Sequence, residues 1–170
     1  LKSVLEIGPG PGLMTALLRQ FQFEVTTIDI AMDIRPDVVG SLSAIPFKSG
    51  AFDATCAFQV LEHLPFSLFV TNMQELRRVT RKMVYISVPS QKEISAAQFR
   101  LDLTLGKKRF HKMFWKKPLD KLTNPEEHYW EIGHGGITPE TIIEASATVG
   151  LTLSTCLFCS PWFQLFSFHV

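Results

Sequence analysis

The chain has 170 residues, a net charge of +1 and an apolar content of 46%. That length suits one domain with a real core, and the near-zero charge supplies no overall field favouring nucleic acid or a membrane surface. No apolar run approaches the roughly 18 residues needed to span a bilayer.

Leu1 to Ile7 reads as a short buried strand leading into a Gly/Pro loop, a pattern unlike a secretory signal, and the expected location is cytoplasmic. Residues 13 to 21 read as a helix with Leu13, Ala16, Leu17 and Phe21 on one face. A second strand, Phe23 to Ile30, ends near Asp29. A short strand at Val38–Val39 precedes a loop closing on Ile45-Pro46-Phe47, and Phe52 to Gln59 is a further buried strand. Ser67 to Val79 reads as a helix with Phe69, Met73 and Leu76 inward and Glu75, Arg77 and Arg78 outward. Met83 to Val88 is a strand stopped by Pro89.

Thr138-Pro139-Glu140 carries a helix start: a hydroxyl cap, a proline in the first turn and an acid at the positive end of the dipole. Leu151 to Cys159 and Phe163 to Val170 are strands joined too tightly for a crossover helix, so an antiparallel hairpin at the sheet edge is expected. Strands alternating with helices predict an α/β fold, a doubly wound and mostly parallel sheet of seven strands. Residues 90–137 are too long for a simple connection and predict an inserted helical cap over the sheet within the single domain 1–170. Cys56, Cys156 and Cys159 all lie in apolar runs, and a lone C-x-x-C lacks the second ligand pair of a zinc site. Three buried thiols in a reducing compartment are expected.

Gly8, Gly10 and Gly12 sit where the first strand ends, which in a doubly wound sheet is where ligands bind. The spacing is G-x-G-x-G, with Leu13 where a dinucleotide fingerprint needs its third glycine. Pro9 and Pro11 remove two backbone donors that a phosphate would use, and no G-K-[ST] follows. A ligand without phosphate fits better. Asp29 lies 21 residues beyond Gly8, at the end of the second strand, where a carboxylate accepts both hydroxyls of a ribose. The competing reading is that Asp29 caps a turn.

Taken in order, Val4-Leu5-Glu6-Ile7-Gly8-Pro9-Gly10-Pro11-Gly12, Thr27-Ile28-Asp29-Ile30, Ile45-Pro46-Phe47 with Phe52-Asp53, and Phe58-Gln59-Val60-Leu61-Glu62-His63-Leu64-Pro65 resemble the class I S-adenosyl-L-methionine (SAM)-dependent methyltransferases of the small-molecule type. The resemblance runs from Leu1 to about Pro89 and resumes at Thr138. It implies a Rossmann-like fold, with SAM as methyl donor and S-adenosyl-L-homocysteine as product. Glu6 and the loop Gly8–Gly12 would hold the methionine end, Asp29 the ribose and Ile30 the adenine ring. Gln59 and Val60 would line the methionine side. The family often has an acid where this chain has Ser41, a weaker acceptor for the adenine amino group; Asp33 or Asp37 are candidates to compensate.

Methyl transfer from a sulfonium asks the protein to align a nucleophile and exclude water. An oxygen or nitrogen nucleophile adds the need for a base, which favours histidine. His63, beside the cofactor strand, and His128 and His134, in Glu126-Glu127-His128-Tyr129-Trp130-Glu131-Ile132-Gly133-His134, are the catalytic candidates. Glu62, His63 and His128 have no metal-ligand spacing in sequence, so no metal is assigned. The stretch Lys107 to Lys117 mixes cations with aromatics and fits a solvated insertion helix, contact with an anionic substrate or membrane surface, or RNA. The leading expectation is a methyltransferase for a small-molecule or lipid-like acceptor, with peripheral membrane contact open and nucleic acid disfavoured by the charge. An RNA or protein methyltransferase, and a SAM-binding module without turnover, are the alternatives.

Overall fold

Val4, Leu5 and Ile7 are all buried, in a strand, β1 (Ser3–Ile7), that is covered on both faces. A continuous apolar run is what such a central position demands. The computed structural model describes residues 1–90, 122–160 and 163–170. In chain order the other elements are α1 (Leu13–Gln20), β2 (Glu24–Asp29), β3 (Val38–Val39), β4 (Phe52–Phe58), α2 (Phe69–Val79), β5 (Thr80–Pro89), α3 (Pro139–Thr148), β6 (Thr152–Ser160) and β7 (Phe163–His169). They build a seven-stranded sheet in the order β3-β2-β1-β4-β5-β7-β6. Pairings from β3 through β5 are parallel, whereas β7 runs antiparallel to both β5 and β6. The expected hairpin is therefore present, with β6 at the edge and β7 slotted between it and β5.

Side chains alternate between two layers. Leu5, Ile7, Ala57, Val84 and Ile86 face α2 and α3, where Phe69, Met73, Leu76 and Ile142 complete the main core. Val4, Ala54 and Cys56 face the other way, toward Leu18 of α1 and Phe23. Helix α3 starts as its sequence dictates: the Thr138 hydroxyl accepts from the Thr141 amide, and Thr141 reciprocates to the Thr138 amide.

Three expectations are corrected. The apolar stripe on α1 points outward: Leu13, Leu17 and Phe21 are 80%, 48% and 69% exposed, while Thr15 is the buried residue of that helix. Periodicity locates a stripe but not the side on which the sheet lies. Only Cys56 is a buried thiol; Cys156 is half-buried and Cys159 exposed, because β6 is an edge strand. Glu75 and Arg78 do not simply face solvent. Their ion pair turns toward the Ile45–Phe47 loop, with Arg78 donating to the carbonyls of Phe47 at 2.6 Å and Ile45 at 2.8 Å, and Glu75 accepting from the Ile45 amide at 2.9 Å. Each bond to a charged partner contributes about 1.5–3 kcal/mol, so a single pair clamps that loop to α2.

Much of the predicted insertion, including His111 and the basic stretch Lys107 to Lys117, lies outside the described residues. Its final part, 122–137, returns to the sheet. Ser90 bridges Ile132, the Tyr129 amide donates to the Glu62 backbone carbonyl, and the Trp130 indole donates to the carbonyls of Leu61 and Leu64. Trp130 is buried against Phe66 and Phe69. Large-to-small replacement of such a side chain typically costs about 3–5 kcal/mol, so this one residue holds the return segment on the turn after β4.

Candidate active site

The glycine loop follows β1 and opens α1. Gly8 has φ +67°, and a Cβ on it would stand 2.5 Å from Cγ2 of Val60. Only glycine lets the loop pass that close to the turn after β4. Gly10 and Gly12, at φ +50° and +80°, face open space, with no atom within 4 Å of a Cβ built on either. Pro9 and Gly12 close the loop through a backbone bond of 2.9 Å. Beneath it, Glu6 is buried and accepts a short hydrogen bond from the Thr15 hydroxyl. Burial pushes the Glu6 carboxyl up, opposed by that hydroxyl and by Arg19. Glu6 is thus aimed at the loop and tethers the first turn of α1. Thr15 was not anticipated, and its type and position carry no sequence signal for this role.

Asp29 ends β2. Its Oδ1 accepts from the Ala31 amide at 2.8 Å, while Oδ2 takes no hydrogen bond among the described residues. One oxygen therefore shapes the turn, as the capping reading expects, and the other is left available among the described residues. Ile30 beside it is 74% exposed. Ser41 begins the loop clamped by Arg78, and its hydroxyl accepts from the Ser43 amide at 3.2 Å. Asp37 is committed elsewhere: its carboxylate holds the Thr27 amide and hydroxyl at 2.8 and 3.0 Å and pairs with Arg19. All of these contacts fall on Oδ2. Asp33 is exposed.

Gln59 follows β4 with φ +56°, a left-handed conformation rare for a residue with a side chain. Its amide and its side-chain nitrogen both bond Ser87 of β5, at 2.9 and 3.1 Å. These bonds hold the bend that swings Val60 onto Gly8. A cavity of about 250 Å³ lies on the α1 side of the loop, between Pro9–Gly12 and Ile34–Asp37.

Past Val60 the chain makes a short turn, Leu61–His63. Glu62 is fully buried, and among the described residues neither carboxylate oxygen has a hydrogen-bond partner. Burial raises its carboxyl to about 8, opposed by its own backbone amide, with a lesser upward push from the charge of Glu131. His63 is exposed, and its Nδ1 lies 3.1 Å from the Glu127 carbonyl. His128 packs edge-on against His63 and bonds Glu131 through Nδ1 at 2.8 Å. Glu131 is fully buried and also accepts from the Thr123 amide and hydroxyl. His134 lies in the next turn, its amide on the Glu131 carbonyl at 3.2 Å. The fold brings His63 and His128 together and leaves His134 beside them on the same segment. The part of Glu131 as the group that orients His128 was not read from the sequence; its spacing of three residues from His128 was the available signal.

Glu62 provides a test of this description. A carboxyl whose folded value, about 8, exceeds its ordinary 4.5 stabilises the fold fully below the unfolded value and loses that contribution as pH rises through the folded one. In buffer free of divalent ions, Glu62→Gln is expected to stabilise the protein by on the order of 4 kcal/mol at about pH 9 and by little at about pH 4.5. Melting temperatures of both proteins across that range check this. An equal effect at both ends would show that Glu62 is not the titrating group.

With this geometry in view, comparison with known proteins bears on the family. Residues 5–88 match the family described as a methyltransferase domain. That match is consistent with membership of the class I SAM-dependent methyltransferases. They are enzymes, SAM is their methyl donor, and S-adenosyl-L-homocysteine is the product. No curated protein matches the sequence. Among solved structures, the 1,6-didemethyltoxoflavin-N1-methyltransferase of Burkholderia thailandensis, bound to 1,6-didemethyltoxoflavin and S-adenosylhomocysteine, is similar at 15% identity and a TM-score of 0.67, over 98% of this chain and 70% of that one. A SAM-dependent methyltransferase from Aquifex aeolicus is similar at 13% identity and a TM-score of 0.66, over 99% and 82%. The magnesium protoporphyrin IX methyltransferase of Synechocystis PCC 6803, with bound SAM, is similar at 12% identity and a TM-score of 0.62, over 98% and 68%. At such identities these likenesses speak to the fold. Among the described residues no helix is long and apolar enough to cross a membrane.

Proposed function

We propose that this methyltransferase transfers the methyl group to an oxygen or nitrogen atom of a small-molecule or lipid-like acceptor, in the cytoplasm, with peripheral membrane contact where the acceptor is lipid-like. The donor side of the reading rests on one observation: an open glycine loop flanked by a carboxylate oxygen of Asp29 that no group among the described residues uses. SAM supplies an electrophilic methyl on its sulfonium sulfur. Gly8, Gly10 and Gly12 let backbone approach its amino-acid end, with Glu6 fixing the loop from below. Asp29 takes the ribose hydroxyls, Ile30 packs on the adenine and Ser41 offers the adenine amino group an acceptor. Gln59 and Val60 line the methionine side. His63 and His128 act on the acceptor's heteroatom and its proton, and His134 completes that wall.

The acceptor class is supported by the substrates named for two similar structures, 1,6-didemethyltoxoflavin and magnesium protoporphyrin IX. It is supported too by the near-neutral charge of the whole chain. Calorimetry with SAM and with S-adenosylhomocysteine tests the donor half, with binding in the micromolar range expected. If neither binds more tightly than about 1 mM, the reading fails. Mass spectrometry of hydroxyl- and amine-bearing compounds incubated with enzyme and SAM then tests the acceptor half. Methylation confined to RNA or protein would overturn it.

A further inference from the structure

Glu62, His63 and His128 each present one ligand atom, and these atoms lie within 4.8 Å of one another. The three residues come from two segments, the turn after β4 and the returning end of the insertion, which Trp130 holds together. Each side chain is prepared for a cation in a different way. The Glu62 carboxylate is wholly buried, and no donor among the described residues satisfies either of its oxygens. The His128 Nδ1 lies on the Glu131 carboxylate and the His63 Nδ1 on the Glu127 carbonyl. Both partners only accept, so both rings must donate through Nδ1. That fixes one tautomer and leaves each Nε2 with a free lone pair, the outer arrangement that orients metal-binding imidazoles. Glu131 is itself held by Thr123, so the support is rigid.

We propose that Glu62, His63 and His128 bind one divalent transition-metal ion of the zinc, cobalt or iron class. Two imidazoles favour such an ion over magnesium or calcium, which take oxygen ligands. A set of two histidines and one carboxylate leaves further positions open. The ion would also compensate two buried acids, Glu62 and Glu131, and exposed His63 gives it a path of entry. Val60, which abuts the glycine loop, is only two residues from Glu62. An open position there suits an acceptor hydroxyl, whose oxygen would bind the ion and give its proton to solvent water more readily, His63 and His128 then acting through the ion rather than as bases. That last step rests on the methyl-transfer reading; the metal site does not.

The full chain, stripped with a chelator, is titrated with Zn²⁺ by calorimetry and with Co²⁺ by visible absorption. S-adenosylhomocysteine is titrated into the same preparation. One ion per chain is expected, with a dissociation constant below about 10 μM. Glu62→Gln and His63→Ala should each weaken binding on the order of 100-fold while leaving S-adenosylhomocysteine affinity unchanged. Because His63 is exposed, its replacement carries the test even if Glu62→Gln perturbs folding. Binding weaker than about 1 mM, or binding that neither variant moves, overturns the site. Loss of S-adenosylhomocysteine binding with zinc binding intact would count against the donor reading and leave the metal site standing.

Discussion

Asp29→Ala is expected to weaken SAM binding on the order of 100-fold, because two hydrogen bonds to a charged acceptor contribute roughly 3 kcal/mol together. The structure separates this loss from a folding defect. Asp29 Oδ1 bonds the Ala31 amide, whereas Oδ2 has no partner among the described residues. The turn therefore depends on one oxygen and the proposed ribose contact on both. Asparagine can keep the Ala31 bond and lose the charge, so Asp29→Asn should retain the apo melting temperature and still bind SAM more weakly. Calorimetry and thermal melting on the two variants distinguish the roles. If Asp29→Ala lowers apo stability but leaves SAM affinity unchanged, Asp29 is only a turn residue.

Much of this site was legible because its signals are local. The G-x-G-x-G loop, Asp29 at a strand end and the Thr138 cap each depend on a few neighbouring residues, and each is found where the sequence places it. The seven strands were legible for the same reason, since continuous apolar runs announce a buried parallel sheet. What was not legible depends on tertiary approach. A stripe of Leu13, Leu17 and Phe21 is periodic whether it faces core or solvent, and here it faces solvent. Glu75 and Arg78 look like an exposed helical pair until the Ile45–Phe47 loop reaches them. Asp37 reads as a spare acid near the adenine end, yet Thr27 and Arg19 occupy it. The meeting of His63 with His128 needs the return of a segment far along the chain, and no spacing rule encodes that. The orphaned carboxylate of Glu62 follows from the same closure.

Gly8 carries the second large expected effect, and here two physical costs can be measured apart. An alanine Cβ at Gly8 would meet Val60 Cγ2 at 2.5 Å, far inside contact distance. Val60 cannot rotate away easily, since β-branching restricts its rotamers, and Gln59 before it is already held in a left-handed bend by Ser87. The backbone of Gly8, at φ +67°, adds about 1–2 kcal/mol for any residue with a side chain. Overpacking adds roughly 1–3 kcal/mol more. Gly8→Ala should therefore lose about 2–5 kcal/mol of stability, along with measurable SAM binding. Gly8→Ala combined with Val60→Ala removes the overlapping methyl and should recover the steric part alone. Gly10→Ala meets no atom within 4 Å, so it should cost only the backbone part. Its Cβ would nonetheless enter the open space of the loop and impair SAM binding. Urea unfolding and SAM calorimetry on these three variants test the scheme. Equal stability losses for Gly8→Ala and Gly10→Ala would mean that the close approach of Val60 is not what keeps the first position of the loop as glycine.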